Sequence, residues 1–154
     1  MELMPDEIHL GAVDAHIHIT AVMSLHCMPC TNAWKTFSRW LTTYAGLFRL
    51  TLRFHNSHSQ HVEMTELIDA LTDIYMKSGN NVFCAALTNW YENKDLEQWK
   101  ATYCTAIPIT PHPTTEKIAQ WVQANSISAV PAVFVGDRIF PLELSDLEYL
   151  MKEL

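Results

Sequence analysis

The chain has 154 residues, of which 49% are hydrophobic and 18% charged, with four glycines and a formal charge of −7. That length fits a single domain, residues 1–154, and the composition excludes a disordered or low-complexity chain. Ten bases against 17 acids, with no basic cluster, exclude a phosphate-tracking surface, so no nucleic acid partner is expected.

Ile17 to Leu25 is apolar and follows Gly11 and Asp14, which predicts a strand running into Cys27-Met28-Pro29-Cys30. The period then changes. Ala33, Trp34, Phe37, Trp40, Leu41 and Tyr44 form the stripe of a helix, with Gly46 where a left-handed C-terminal residue belongs. Leu47 to Phe54 reads as a second strand, with Phe48, Leu50, Leu52 and Phe54 on one face and Leu47, Arg49, Thr51 and Arg53 on the other. Strand, helix and strand of these lengths predict a right-handed βαβ unit with parallel strands.

Leu67, Ile68, Leu71, Ile74 and Tyr75 repeat helically up to Ser78-Gly79-Asn80, and Val82, Phe83, Ala86, Leu87 and Trp90 continue the pattern. A short helix starts near Asp95 and buries Leu96, Trp99 and Tyr103, so residues 62–105 are expected to form a helical insertion. After Pro108, Pro111 and Pro113, Thr114-Thr115-Glu116 opens another helix with Ile118, Trp121 and Val122 inward. Ala132 to Val135, Gly136-Asp137 and Arg138 to Pro141 predict a hairpin, and Ser145-Asp146-Leu147-Glu148 predicts a capping box for the last helix. Trp34, Trp40, Trp90, Trp99 and Trp121 fall at core spacing and read as packing.

No apolar run reaches the ~18 residues that cross a bilayer, and Met1-Glu2-Leu3-Met4-Pro5-Asp6 lacks a basic region followed by an apolar one, so a soluble chain is expected. Four cysteines do not make a disulfide-dense scaffold and point first to chemistry.

A cysteine at a helix N-terminus meets unpaired backbone N–H groups and the positive end of the helix dipole, both favouring thiolate over thiol. Cys27 is therefore the expected nucleophile. Cys30, one turn later on the same face, is the expected resolving thiol, and the pair can cycle between dithiol and disulfide. Pro29 at an early helical position loses no hydrogen bond. Two cysteines at this spacing are also half of a zinc site, or a structural disulfide, and both alternatives stay open at this point. His26 can donate a hydrogen bond to the thiolate, or cover the site as an exposed histidine. His16 and His18 share a strand face and receive no role. His55, His58 and His61 follow the second strand and should share the sheet edge of Cys27; solvated loop histidines are favoured over metal ligands, and no metal is expected. Cys84 and Cys104 are either a second disulfide or two buried thiols.

Two segments together resemble the DsbA-like thioredoxin domains: Gly11, Asp14-Ala15, the apolar strand and Cys27-Met28-Pro29-Cys30, then Ser128-Ala129-Val130-Pro131-Ala132-Val133-Phe134-Val135-Gly136-Asp137. The resemblance covers about residues 8–154 and implies an α/β thioredoxin fold, with the helical insertion between the βαβ unit and the C-terminal β-hairpin and helix. It also implies a protein disulfide oxidoreductase acting on protein thiols, with no cofactor beyond the redox-active Cys27-Cys30 disulfide. Pro131 would be a cis-proline against the dithiol, leaving the Val130 backbone open to an extended substrate, with Met28 and Pro29 also at the substrate. Leu25-His26-Cys27-Met28-Pro29-Cys30 is similar to the thioredoxin-like domains fused to bacterial vitamin K epoxide reductase homologues. That likeness implies a membrane quinone-linked partner of that kind and a periplasmic or other cell-envelope location. The chain departs from the family in two places. Ala21 stands where thioredoxin and DsbA relatives carry a proton-transferring acid, and Met28-Pro29 replaces the Pro-His of DsbA, so neither proton route nor redox poise carries over.

Overall fold

The computed structural model describes residues 1–55, 62–104, 109, 111–141 and 143–153. Strand β1 (Ile8–Gly11) precedes β2 (Ile17–Met23), helix α1 (Met28–Thr43) and β3 (Phe48–Phe54). Three helices follow, α2 (Val62–Ser78), α3 (Asn80–Asn93) and α4 (Leu96–Tyr103), and then α5 (Pro113–Ala124). The hairpin β4 (Ala132–Val135) and β5 (Arg138–Ile139) leads to α6 (Leu144–Lys152). Among the described residues the strands form a five-stranded sheet in the order β1-β3-β2-β4-β5.

β2 and β3 pair in parallel from Ile17 opposite Phe48 to Met23 opposite Phe54, as a βαβ unit demands. Their alternating side chains supply two cores. Ile19, Ala21 and Met23 join Phe48, Leu50, Leu52 and Phe54 in the larger one, against Trp34, Phe37 and Trp40 of α1 and Phe83, Leu87 and Trp90 of α3. On the opposite face Val22 and Ala132 meet Ile118 and Val122 of α5. Arg53 lies on that face with its side chain fully buried. Its guanidinium is held by Glu7 through Nε at 2.6 Å and Nη2 at 3.2 Å, and it stacks 4.4 Å from the Trp121 ring centroid.

Several details differ from the sequence reading; besides small shifts in the starts of β3, at Phe48, and α5, at Pro113, four stand out. β1 was not expected: it is a four-residue edge strand antiparallel to β3, too short and too polar at His9 to show a period. β2 ends at Met23 instead of Leu25, because the Ser24 and Leu25 carbonyls accept side-chain hydrogen bonds from α3. β5 ends at Ile139, with Pro141 beyond it. Ser145 does not cap α6. The cap is Glu143, whose N–H donates to the Asp146 carboxylate at 3.1 Å, so a carboxylate at the third helical position satisfies the helix start.

Gly11 closes β1 at a φ of 83°, and a Cβ there would stand 2.5 Å from the Phe48 carbonyl oxygen. The next residue donates its N–H to that same oxygen at 2.9 Å, so the turn from β1 towards β2 needs both the left-handed backbone and the missing side chain.

Candidate active site

β2 delivers the chain to the edge of the sheet at Met23, and α1 begins five residues later. Cys27 is the N-cap of α1, with extended backbone, and its sulfur accepts the Cys30 N–H at 3.2 Å. The sulfur thus takes the place that a serine or aspartate oxygen occupies in an ordinary cap. Pro29, at the second helical position, has no N–H to satisfy.

The two cysteines are unbonded thiols in unlike surroundings. Cys27 is half-buried, whereas Cys30 has 0% exposure. Burial pushes the Cys30 thiol up to about 12, and its side-chain hydrogen bond with Cys27 adds to the rise. Two influences oppose it: the Ser24 N–H, which donates to Cys30 Sγ at 3.4 Å, and the positive charge of Lys94. Ala21, fully buried in β2, contributes no acid or base.

The loop between α5 and β4 closes the site from the other side. The Val130–Pro131 peptide bond is cis, and the Cys27 thiol donates to the Val130 carbonyl at 3.7 Å. Val130 and Pro131 are half-buried, whereas Met28, 62% exposed, and Pro29, exposed, border Cys27 on α1. His26 is exposed, with its ring edge-on to Trp90 at 6.3 Å between centroids.

Helix α3 grips the segment that carries the dithiol. Trp90 Nε1 donates to the Leu25 carbonyl at 2.9 Å, and the Tyr91 hydroxyl donates to the Ser24 carbonyl at 2.9 Å. Burial pushes the Tyr91 phenol well up, and the neighbouring cysteines push the same way, so it remains a protonated donor. Three tryptophans read as packing alone are also donors: Trp90, Trp34 to Thr88 at 3.0 Å, and Trp99 to the Ala86 carbonyl at 2.9 Å. Ser24, Tyr91 and Lys94 were not singled out in the sequence, and only the helical spacing of Trp90, Tyr91 and Lys94 offered a signal.

The remaining candidates lie elsewhere or play other parts. His16 and His18 are exposed. His55 donates its N–H to the Met23 carbonyl at 2.9 Å, at the same sheet edge as the dithiol, and burial lowers its imidazole from the usual range. His58 and His61 lie outside the described residues. Cys84 and Cys104 are unbonded, and burial pushes the Cys84 thiol up to about 11. Among the described residues no three His, Cys, Asp or Glu side chains converge where they could hold a metal ion, and no helix is long and apolar enough to cross a membrane.

No family model and no curated protein matches the sequence, so the likeness is one of structure. The chain superposes on oxidised BdbD from Bacillus subtilis with a TM-score of 0.78 at 13% identity, covering 96% of this chain and 92% of that one. The catalytic domain of Proteus mirabilis ScsC gives 0.74 at 17% identity, with 96% and 88% covered. A periplasmic thioredoxin-like protein from Salmonella enterica serovar Typhimurium gives 0.73 at 14% identity, with 97% and 90% covered. The chain has the thioredoxin fold in its DsbA-like form, a mixed α/β sheet with helices between β3 and β4.

Proposed function

We propose that this protein is a thiol-disulfide oxidoreductase that exchanges disulfides with protein thiols through Cys27 and Cys30. The observation that carries the reading is the asymmetry of the pair at the α1 N-terminus: Cys27 is reachable and held by the cap hydrogen bond, while Cys30 is enclosed one turn behind it. In the oxidised protein a substrate thiolate attacks Cys27 Sγ, the Cys27–Cys30 bond breaks, and Cys30 leaves and takes up a proton. A second substrate thiolate then attacks the substrate sulfur of the mixed disulfide. The substrate disulfide forms and Cys27 is released and takes up the second proton, so two electrons and two protons have passed to the protein dithiol. The reverse sequence reduces a substrate disulfide.

Val130, Met28 and Pro29 would receive the substrate chain beside Cys27, with Pro131 and His26 framing the same opening. The proximity of the Val130 carbonyl to Cys27 Sγ supports this placement. No cofactor beyond the dithiol enters the reaction. A cell-envelope location is supported by the likeness to the periplasmic thioredoxin-like protein from Salmonella. The Leu25 to Cys30 segment extends the proposal to a membrane quinone-linked vitamin K epoxide reductase-like protein as redox partner.

The test is turnover in an insulin-reduction assay together with equilibration against glutathione. Turnover that is lost in Cys27→Ser supports the oxidoreductase. A Cys27–Cys30 disulfide that forms but exchanges with neither probe would make the pair a structural staple in a binding module and overturn the proposal.

A further inference from the structure

In disulfide exchange at this pair Cys30 Sγ carries negative charge as the Cys27–Cys30 bond breaks, and it does so out of reach of water, because Cys30 has 0% exposure. Burial makes it a poor leaving group: a sulfur cut off from solvent holds charge badly. Its own N–H is committed to Cys27 Sγ at 3.2 Å. The Ser24 N–H is the donor that faces it, reaching Cys30 Sγ at 3.4 Å from the end of β2.

Ser24 is held on both sides of that donor. The peptide before it, Met23–Ser24, is fixed from the β3 side, because the Met23 carbonyl accepts the His55 N–H at 2.9 Å. In a trans peptide the C=O and N–H point in opposite directions, so a Met23 carbonyl turned to the end of β3 leaves the Ser24 N–H turned away from it, towards Cys30. The peptide after it, Ser24–Leu25, is fixed by α3, where the Tyr91 hydroxyl donates to the Ser24 carbonyl at 2.9 Å. Trp90 Nε1 repeats the hold one residue on, at the Leu25 carbonyl. Tyr91 and Trp90 are both buried, and phenylalanine at 91 would fill the same space without reaching the Ser24 carbonyl.

We infer that the Ser24 N–H stabilises the charge developing on Cys30 Sγ as the Cys27–Cys30 bond breaks, and that Tyr91 is the positioning residue that keeps this donor aimed. The role rests on the oxidoreductase reading and adds to it the group that receives the leaving sulfur. With glutathione as reductant, its thiolate attacks Cys27 Sγ and the mixed disulfide forms. The Cys27–Cys30 bond breaks with its electron pair on Cys30 Sγ, which then takes up a proton. A donor already in place for that charge speeds the step. The next step is different: a second glutathione thiolate attacks the glutathione sulfur and expels Cys27, which makes no demand on a donor facing Cys30 Sγ.

The experiment times both steps by acid quenching and mass spectrometry. The first is reduction of the oxidised protein by glutathione, and the second is release of glutathione from the Cys27 mixed disulfide of Cys30→Ser. Each is measured with the natural residues, with Tyr91→Phe, and with Ser24 replaced by its α-hydroxy acid, which puts an ester oxygen in place of the N–H. The first rate divided by the second should fall about threefold to tenfold in the ester protein and about twofold to threefold in Tyr91→Phe. A clamp that only stabilises the fold would lower the urea midpoint and leave this ratio unchanged, and an unchanged ratio would overturn the inference alone. Should the ester protein not fold, Tyr91→Phe decides by the same ratio. An oxidised protein that glutathione does not reduce would overturn the oxidoreductase reading and this inference with it.

Discussion

Cys30 donates its backbone N–H to Cys27 Sγ at 3.2 Å, so the proposed nucleophile is also the cap of the helix that follows it. The two duties separate by mutation. Serine keeps a capping oxygen, whereas alanine removes it and should cost about 0.5–2 kcal/mol of stability. Cys27→Ser should therefore unfold in urea close to wild type, Cys27→Ala earlier, and both should lack exchange activity. Cys30→Ser should accumulate mixed disulfides on Cys27 that mass spectrometry detects. If mixed disulfides instead collect on Cys30 in Cys27→Ser, the two thiols are assigned backwards.

The thiol of Cys30, raised to about 12 by burial and by its bond with Cys27, should remain protonated and unreactive throughout the neutral range. In reduced native protein at pH 7 to 8, iodoacetamide should modify Cys27 first and leave Cys30 unlabelled until urea is added. Peptide mapping checks this. Equal labelling of the two in native protein would contradict the enclosure of Cys30.

The α3 clamp should show up in stability. Tyr91→Phe keeps the buried ring but removes the donor to the Ser24 carbonyl, which should cost about 1–3 kcal/mol in urea unfolding. An unchanged midpoint would mean that solvent replaces the hydroxyl at that carbonyl.

The parts of this arrangement differ in how far the sequence revealed them. The cysteine pair was legible because an apolar strand, a two-residue gap between thiols and a 3.6-residue period follow one another within about 30 residues. The clamp was not. Trp90 and Leu25 are 65 residues apart, and Tyr91 and Ser24 are 67 apart. Periodicity tells which face of α3 is buried and leaves open which backbone carbonyl that face will meet. Arg53 shows the same limit: alternation put it on a mixed strand face, but its burial depends on Glu7 and Trp121, which arrive from distant segments. β1 was missed because four residues at a sheet edge hold too few side chains to show a period.

Gly11→Ala tests the turn that leads into β2. With φ at 83° and the Phe48 carbonyl 2.5 Å from the new Cβ, the substitution meets both backbone strain and a contact with backbone that cannot swing aside. The strain alone is worth about 1–3 kcal/mol, so the urea midpoint should fall clearly. A neutral effect would show that the β1 to β2 turn can readjust.

His26 offers a test of the site's exposed rim. The helix terminus favours the reduced pair, but Met28-Pro29 places no histidine between the cysteines, so the couple should equilibrate between about −270 and −120 mV, the values for thioredoxin and DsbA. His26→Ala should lower the potential within that interval. A wild-type potential outside the interval would refute the poise argument, and an unchanged potential in His26→Ala would refute the part given to His26.

The last prediction concerns pH and the junction of α1 with α6. Arg39 donates through both terminal nitrogens to the Glu148 carboxylate at 2.8 Å each, and the Tyr44 hydroxyl donates to it at 2.9 Å. The bond from Arg39, first among these, holds the Glu148 carboxyl down at about 2, against an ordinary value of 4.5. A carboxylate whose folded value lies below its unfolded one stabilises the fold above the unfolded value, and that contribution is lost as pH falls through the folded one. The Glu148 contribution should thus be complete at pH 6 and disappear progressively between about 4.5 and 2. Arg39 is 53% exposed, so salt should weaken the effect. Urea unfolding of wild type and Glu148→Gln should differ at pH 6, converge towards pH 2, and differ less at high ionic strength. A gap between the two proteins that stays constant from pH 6 to pH 2 would show that the glutamate acts through its shape and not through its charge.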